Sequence, residues 1–84
     1  MLEAGQTLTP EELQQVARAL LEARGKRAEA ARKLNVTRGT ITNALNADIP
    51  SRYASTLARV IELYSDYTIE SQTVTVHRVV EKET

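Results

Sequence analysis

Leu13, Val16, Ala17, Leu20 and Leu21 recur at intervals of three and four, the spacing that gathers apolar side chains on one side of a helix. Just upstream, "LTPEEL" at 8–13 reads as a helix start: Thr9 can cap, Pro10 suits the first helical position, and Glu12 completes a capping box with Thr9. Leu8 and Leu13 are placed for a hydrophobic staple across that cap. Gly25 supplies a stop, so a first helix is predicted over about 10–24. Residues 1–7 read as a loose terminus.

A second, short helix is predicted over about 27–34, with Ala28, Ala31 and Leu34 inward and Arg27, Arg32 and Lys33 outward. Asn35 follows, a residue that tolerates the left-handed conformation a sharp turn needs, and Val36 plugs that turn. Thr37 then caps a third helix over about 38–46, whose Ile41, Ala44 and Leu45 point in and whose Arg38, Gly39, Thr42, Asn43 and Asn46 point out. After a loop at "NADIPS", Ser51 opens a fourth helix to about residue 64, with Ala54, Leu57, Ala58, Ile61 and Tyr64 spaced to cover the third.

Beyond Asp66 the period drops to two. Tyr67 and Ile69 alternate, then Val74, Val76 and Val80 alternate with opposite parity across "ESQT". This predicts a short hairpin, or one strand over about 73–80 with a bent approach, within a β extension spanning about 67–80. An isolated hairpin is marginal in water, and pairing of edge strands with a second subunit would supply the missing partner. The expected fold is mainly α: a single domain over residues 1–84, four helices containing a helix-turn-helix, and a C-terminal β segment used for dimerisation.

Composition narrows this further. A chain of 84 residues buries only about 60–65% of its unfolded surface, and with no Phe or Trp the core must be built from aliphatic side chains and three tyrosines. Such a thin core makes dimerisation a plausible source of stability. The absence of cysteine excludes a disulfide framework and a thiolate zinc site. No apolar run approaches the roughly 20 residues of a bilayer crossing, and nothing resembles a signal peptide. The expectation is a soluble, intracellular protein, cytoplasmic and nucleoid-associated, without metal or cofactor.

Net charge is zero, yet its distribution is uneven. Residues 1–23 sum to −3 and residues 44–84 to −2, whereas residues 24–43 sum to +5 through Arg24, Lys26, Arg27, Arg32, Lys33 and Arg38 against Glu29 alone. A basic cluster is by itself often only a solvated surface. This one coincides with a short helix, a three-residue turn and a second short helix, with a small residue, Ala31, where the two would cross, and that combination is the helix-turn-helix unit. The outer positions of the third helix then carry hydrogen-bonding groups of base-reading length rather than long solubilising chains, and Gly39 allows close backbone approach.

At these residues, "RGKRAEAARKLNVTRGTITNAL", the chain resembles the bacterial helix-turn-helix regulators of the Fis type, including the Gly25-to-Ala31 spacing and the "TRGTI" opening of the third helix. It is also similar to the phage Cro and repressor proteins. Asn35 departs from the glycine usual at that turn, the charged Fis-type dimerisation arm is absent, and the C-terminal β segment is closer to Cro proteins that dimerise through a strand. The resemblance implies a sequence-specific repressor of transcription, a homodimer on double-stranded DNA, with Thr37, Arg38, Gly39, Thr42, Asn43 and Asn46 facing the major groove.

The chemistry agrees with that implication. Arg38 can bond guanine O6 and N7, Asn43 can do the same to adenine N6 and N7, and the Thr42 methyl can meet a thymine methyl. Lys26, Arg27, Thr40 and the amide end of the second helix at Ala28 are placed to hold phosphates, as are Ser51 and Arg52. Other constellations are weaker. His77, the only histidine, lacks a second ligand or a nucleophile and reads as a surface or interface side chain. Glu11 and Glu12 suit the first turn of a helix better than paired catalysis. Tyr64 and Tyr67 could stack on bases, but Tyr64 falls on an apolar stripe, and "EKET" reads as a solvated tail. Catalysis is not expected. The rival reading is a protein-interaction module, such as an antitoxin or assembly factor, in which the helices are only a scaffold.

Overall fold

The computed structural model describes residues 2–82. Helix α1, Pro10–Arg24, starts as its sequence dictates: the Thr9 hydroxyl accepts from the Glu12 amide and the Glu12 carboxylate accepts from the Thr9 amide, closing the capping box. Leu8 and Leu13 on either side of the cap are both buried in one core cluster, the arrangement of a staple. α1 is followed by α2, Arg27–Leu34, and α3, Arg38–Asn46. A 3-10 helical turn, Pro50–Tyr53, leads into α4, Ala54–Tyr64. The fourth helix therefore begins more tightly wound than its spacing implies, with Pro50 rather than Ser51 at the start of the turn and buried.

Among the described residues there are also three strands: β1, Thr7–Leu8, β2, Tyr67–Ser71, and β3, His77–Glu81. They form an antiparallel sheet in the order β1-β3-β2. Leu8 pairs with His77 and Ile69 with Val79. Residues 5–7 are thus not loose, and Met1, part of the same expectation, lies outside the described residues. The Gly5 amide donates to the Val79 carbonyl at 2.8 Å and the Val79 amide to the Gln6 carbonyl at 2.8 Å, so β1 supplies from within the chain the partner that a two-stranded hairpin lacks. The expectation for the tail at 81–84 lies partly outside the described residues; Glu81 ends β3.

The parity expected for the last strand is also corrected. Val74 and Val76 lie in the connecting turn, with Val74 75% exposed, and the residues of β3 that face the core are His77 and Val79, 2% and 0% exposed. Nor is His77 a surface group. Its Nδ1 lies 2.9 Å from the Ser71 hydroxyl across the strand pair, and Nε2 is 3.3 Å from the Val74 carbonyl, so both ring nitrogens are engaged inside the hairpin.

In α2 the expected inward Ala28 is exposed and Ala30 takes its place in the core beside Ala31 and Leu34. α4 packs chiefly along α1 rather than α3, with Leu57, Ala58, Val60, Ile61 and Tyr64 all buried. At its end the Tyr64 ring lies against Gly25. A Cβ built on Gly25 would stand 2.3–2.6 Å from three ring and hydroxyl atoms. Gly25 has an extended backbone, φ −147, so it is the ring and not the backbone that demands glycine. The Tyr64 hydroxyl donates to Glu29 at 2.8 Å, and its pKa is raised by burial first, then by this bond and the Glu29 charge.

Gly25→Ala is expected to destabilise the domain by about 1–3 kcal/mol through overpacking. In a Tyr64→Leu background the same change should cost far less, because a shorter side chain vacates the space. Urea unfolding midpoints of the four proteins measure this, and an equal cost in both backgrounds would dissociate Gly25 from the ring.

Candidate nucleic-acid interface

The turn between α2 and α3 is three residues, Asn35 to Thr37. Asn35 adopts φ 57 and ψ 46, the left-handed conformation that asparagine tolerates better than most residues, so the departure from glycine leaves the turn intact. The Val36 amide donates to the Ala31 carbonyl at 2.9 Å, and its side chain packs against the core. Thr37 caps α3: its hydroxyl accepts from the Thr40 amide at 3.1 Å and lies 2.9 Å from the Thr40 hydroxyl. Ala30, Ala31 and Leu34 of α2 meet Ile41, Ala44 and Leu45 of α3 in one buried cluster, and small side chains on the α2 side let the two helices approach closely. The packing leaves the opposite side of α3 to solvent.

On that side Arg38, Gly39, Asn43 and Asn46 are exposed and Thr42 is half-buried. Thr42 is partly covered because Arg27 of α2 reaches across to it, Nη1 to Oγ1, at 3.4 Å. Gly39 is informative for what it does not do. An added Cβ would meet nothing closer than the Thr37 hydroxyl at 3.7 Å, so no packing or backbone strain requires glycine there, although glycine inside a helix costs about 1 kcal/mol relative to alanine.

Asn43, Asn46 and Arg52 line one open depression of about 430 Å³ between the end of α3 and the following turn, with Ile49 and Asp48 at its edge. Ser51 does not join them. It lines a separate groove on the other side of the 3-10 turn, with Arg59 and the hairpin residues Thr73 and Val74. Lys26, Arg27 and Ala28 at the start of α2 are exposed, and Lys26 provides no side-chain cap, which leaves the first amides of that helix unpartnered by side chains. Glu29, the one acid of the basic segment, is turned away, held by Tyr64 at 2.8 Å and 3.9 Å from Lys33.

Three polar side chains that position this surface escaped the sequence reading. Gln14 donates to the Ala44 and Ala47 carbonyls at 3.1 and 3.0 Å, and Arg18, one turn further along α1, donates to the Leu45 carbonyl. These bonds close the open carbonyl end of α3. Arg59 does the same for α2, donating to the Leu34 carbonyl at 2.8 Å. The signal was present as polar residues at positions 14 and 18, one turn apart on α1, but polar positions on a surface helix are usually solvated and give no indication of their target. Arg24 is likewise structural, donating to the Tyr64 carbonyl at 3.1 Å.

A short capped helix set by a tight turn against a second one, with its polar side free, defines a helix-turn-helix domain. Over residues 7–47 the chain matches the family model of the bacterial regulatory proteins of the Fis family. The match runs from β1 through α1 to the residue after α3, so α1 belongs to the unit and not only the two helices of the motif; the protein is a helix-turn-helix DNA-binding regulator. No curated protein and no solved structure matches the chain. Among the described residues no cluster of His, Cys, Asp or Glu could hold a metal ion, and no helix is long and apolar enough to cross a membrane.

Proposed function

We propose that the protein is a sequence-specific transcriptional repressor of the Cro-like kind, which lays α3 in the major groove of double-stranded DNA and acts as a homodimer on a palindromic operator in the cytoplasm. The observation that carries this is the open side of α3, where Arg38, Asn43 and Asn46 are exposed together around a glycine that the fold does not require. Arg38 reads guanine, Asn43 and Asn46 read adenine or the neighbouring pair, and Thr42 offers its methyl to thymine. Without a side chain at Gly39 the helix can sit deeper. Thr37, engaged with Thr40, has a hydroxyl oxygen at the mouth of the groove and Thr40 a place at its rim.

Phosphates are held by Lys26, Arg27 and the free amides near Ala28 on one side, and by Arg52 on the other, with Ser51 the weakest candidate because it faces a different groove. Arg27 has a double position, since the bond that brings it to Thr42 also aims a fixed cation beside the reading surface. The rival reading, a protein-interaction module, would favour apolar knobs on the outer side of α3; only polar residues and glycine are exposed on that side of the helix.

Selection of bound duplexes from a random pool at near-physiological salt is expected to yield one word made of two inverted half-sites, centred about 10 base pairs or 34 Å apart. No common word would overturn the reading. Arg38→Ala should cost about 1–3 kcal/mol on the selected site and relax preference at one base position, whereas equal weakening on all sequences would place Arg38 on the backbone. Arg27→Ala should weaken every site alike and reduce the slope of log K against log salt by about 0.9. An unaltered slope removes Arg27 from the interface.

A further inference from the structure

α3 makes its broadest packing contact with α2, a helix of only eight residues. α1 is the firmer reference: it has 15 residues, packs chiefly along α4, and buries Leu13, Ala17 and Leu21 in the core. α3 ends on Ala47 in an extended conformation, φ −63 and ψ 135, rather than in a left-handed cap, so its last carbonyls need partners from elsewhere. α1 provides them. Gln14 Nε2 donates to the Ala44 carbonyl at 3.1 Å and to the Ala47 carbonyl at 3.0 Å, one bond for each hydrogen of its amide. Arg18 donates to the Leu45 carbonyl between them.

The tied residues interleave with Asn43 and Asn46, the two exposed asparagines at this end of α3. We infer that Gln14, supported by Arg18, is a specificity-determining residue that makes no contact with DNA. It holds the last turn of α3 at the angle from which Asn43 and Asn46 reach base edges. This deepens the DNA-binding reading of α3 and rests on it.

The two ends of the helix are held differently. At the start, the Val36 amide is bonded to the Ala31 carbonyl at 2.9 Å, and the Val36 side chain packs on the core, so Arg38 keeps its place whatever happens at the other end. At the far end Ala44 and Leu45 are buried, but apolar contact sets a distance better than an angle. A helix of nine residues is about 13 Å long. A pivot of about 10° at Val36 therefore moves the last turn by about 2 Å and Arg38 by a small fraction of that. A binding constellation tolerates only about 0.5 Å. Asparagine is too short to follow such a shift, whereas arginine has the reach to re-aim. Loss of the Gln14 donor thus blurs the bases read by Asn43 and Asn46 and spares the one read by Arg38.

Stability is affected less than aim. Gln14 is half-buried, and Ala47 lines the open depression of about 430 Å³ beside Asn43 and Asn46, so water can take the place of the lost donor at its carbonyl. Water satisfies the oxygen without fixing the helix. Arg18 is the looser tether, a single bond from a longer and exposed side chain.

Gln14→Met removes both donors at similar length and leaves the charge unchanged, and Gln14→Glu removes them at the same size, because a carboxylate only accepts. Duplexes selected from a random pool, with base positions assigned by Arg38→Ala, Asn43→Ala and Asn46→Ala, resolve the effect along the site. For both variants, discrimination at the positions of Asn43 and Asn46 is expected to fall about tenfold, and discrimination at that of Arg38 to stay within about twofold. Affinity of Gln14→Met for a random duplex should also stay within about twofold, since no phosphate contact is lost. An equal loss at every position, or no loss at any, overturns the inference. So does unfolding of both variants, which would make the bonds supports of the fold and not of the angle. Residual dipolar couplings of the free protein give a readout independent of DNA: in Gln14→Met the amides of α3 should no longer fit the wild-type orientation relative to α1, and an unchanged fit overturns the inference. Should the wild type select no common word, the DNA reading falls, and the couplings still decide whether Gln14 sets the angle.

Discussion

Tyr64 resting on Gly25 is the contact from which the rest of the structure takes its bearings. One side chain closes α4, lies across the junction of α1 and α2, and reaches the first turn of α2 through Glu29. Arg24, the last residue of α1, returns the connection to the Tyr64 carbonyl. α2 has only eight residues, too few to hold a conformation alone, so its position is dictated by these bonds and by Ala30, Ala31 and Leu34 in the core. Everything that α2 controls, including the seating of α3 and the reach of Arg27 to Thr42, is inherited from that junction.

A second set of bonds explains how so thin a core can hold α3 in one orientation. Helix packing alone fixes α3 through three buried residues, Ile41, Ala44 and Leu45, a set that resists separation better than rotation. Gln14 and Arg18 bond the carbonyls at the end of α3, and Thr37 with Thr40 closes its start. A helix tied at its carbonyl end to α1 by directional bonds cannot roll on its apolar face without breaking one of them, and each break would leave a partly buried polar group without a partner. Polar side chains thus do the orienting and apolar ones the holding.

What could be read from the sequence, and what could not, follows from the range of the interactions. The start of α1 was legible because Thr9 and Glu12 satisfy each other within one turn, and the turn after α2 because Asn35 is a local conformational choice. The outward set of α3 was legible for the same reason, once Ile41, Ala44 and Leu45 had marked the inward one. β1 was not, since two residues carry no periodicity and its partner lies some seventy positions away, Thr7 against Arg78. The valines at 74 and 76 misled because β-branched residues suit a strand and were assumed to face inward, whereas the turn took them and the core accepted His77. Histidine could be buried there only because Ser71 and the Val74 carbonyl meet its nitrogens, a pairing that exists only after the hairpin has formed.

The strand order β1-β3-β2 has a bearing on how the chain reaches this state. The middle strand of the sheet is the last in sequence, so neither outer strand has a neighbour to bond until residues 77–81 arrive. During synthesis the helices can collapse locally in chain order, while the segment around Thr7 must wait for residues 77–81 to leave the ribosome and then close a very long loop. Assembly therefore ends by zipping β1 onto β3 across that loop, after the helix-turn-helix has already taken shape.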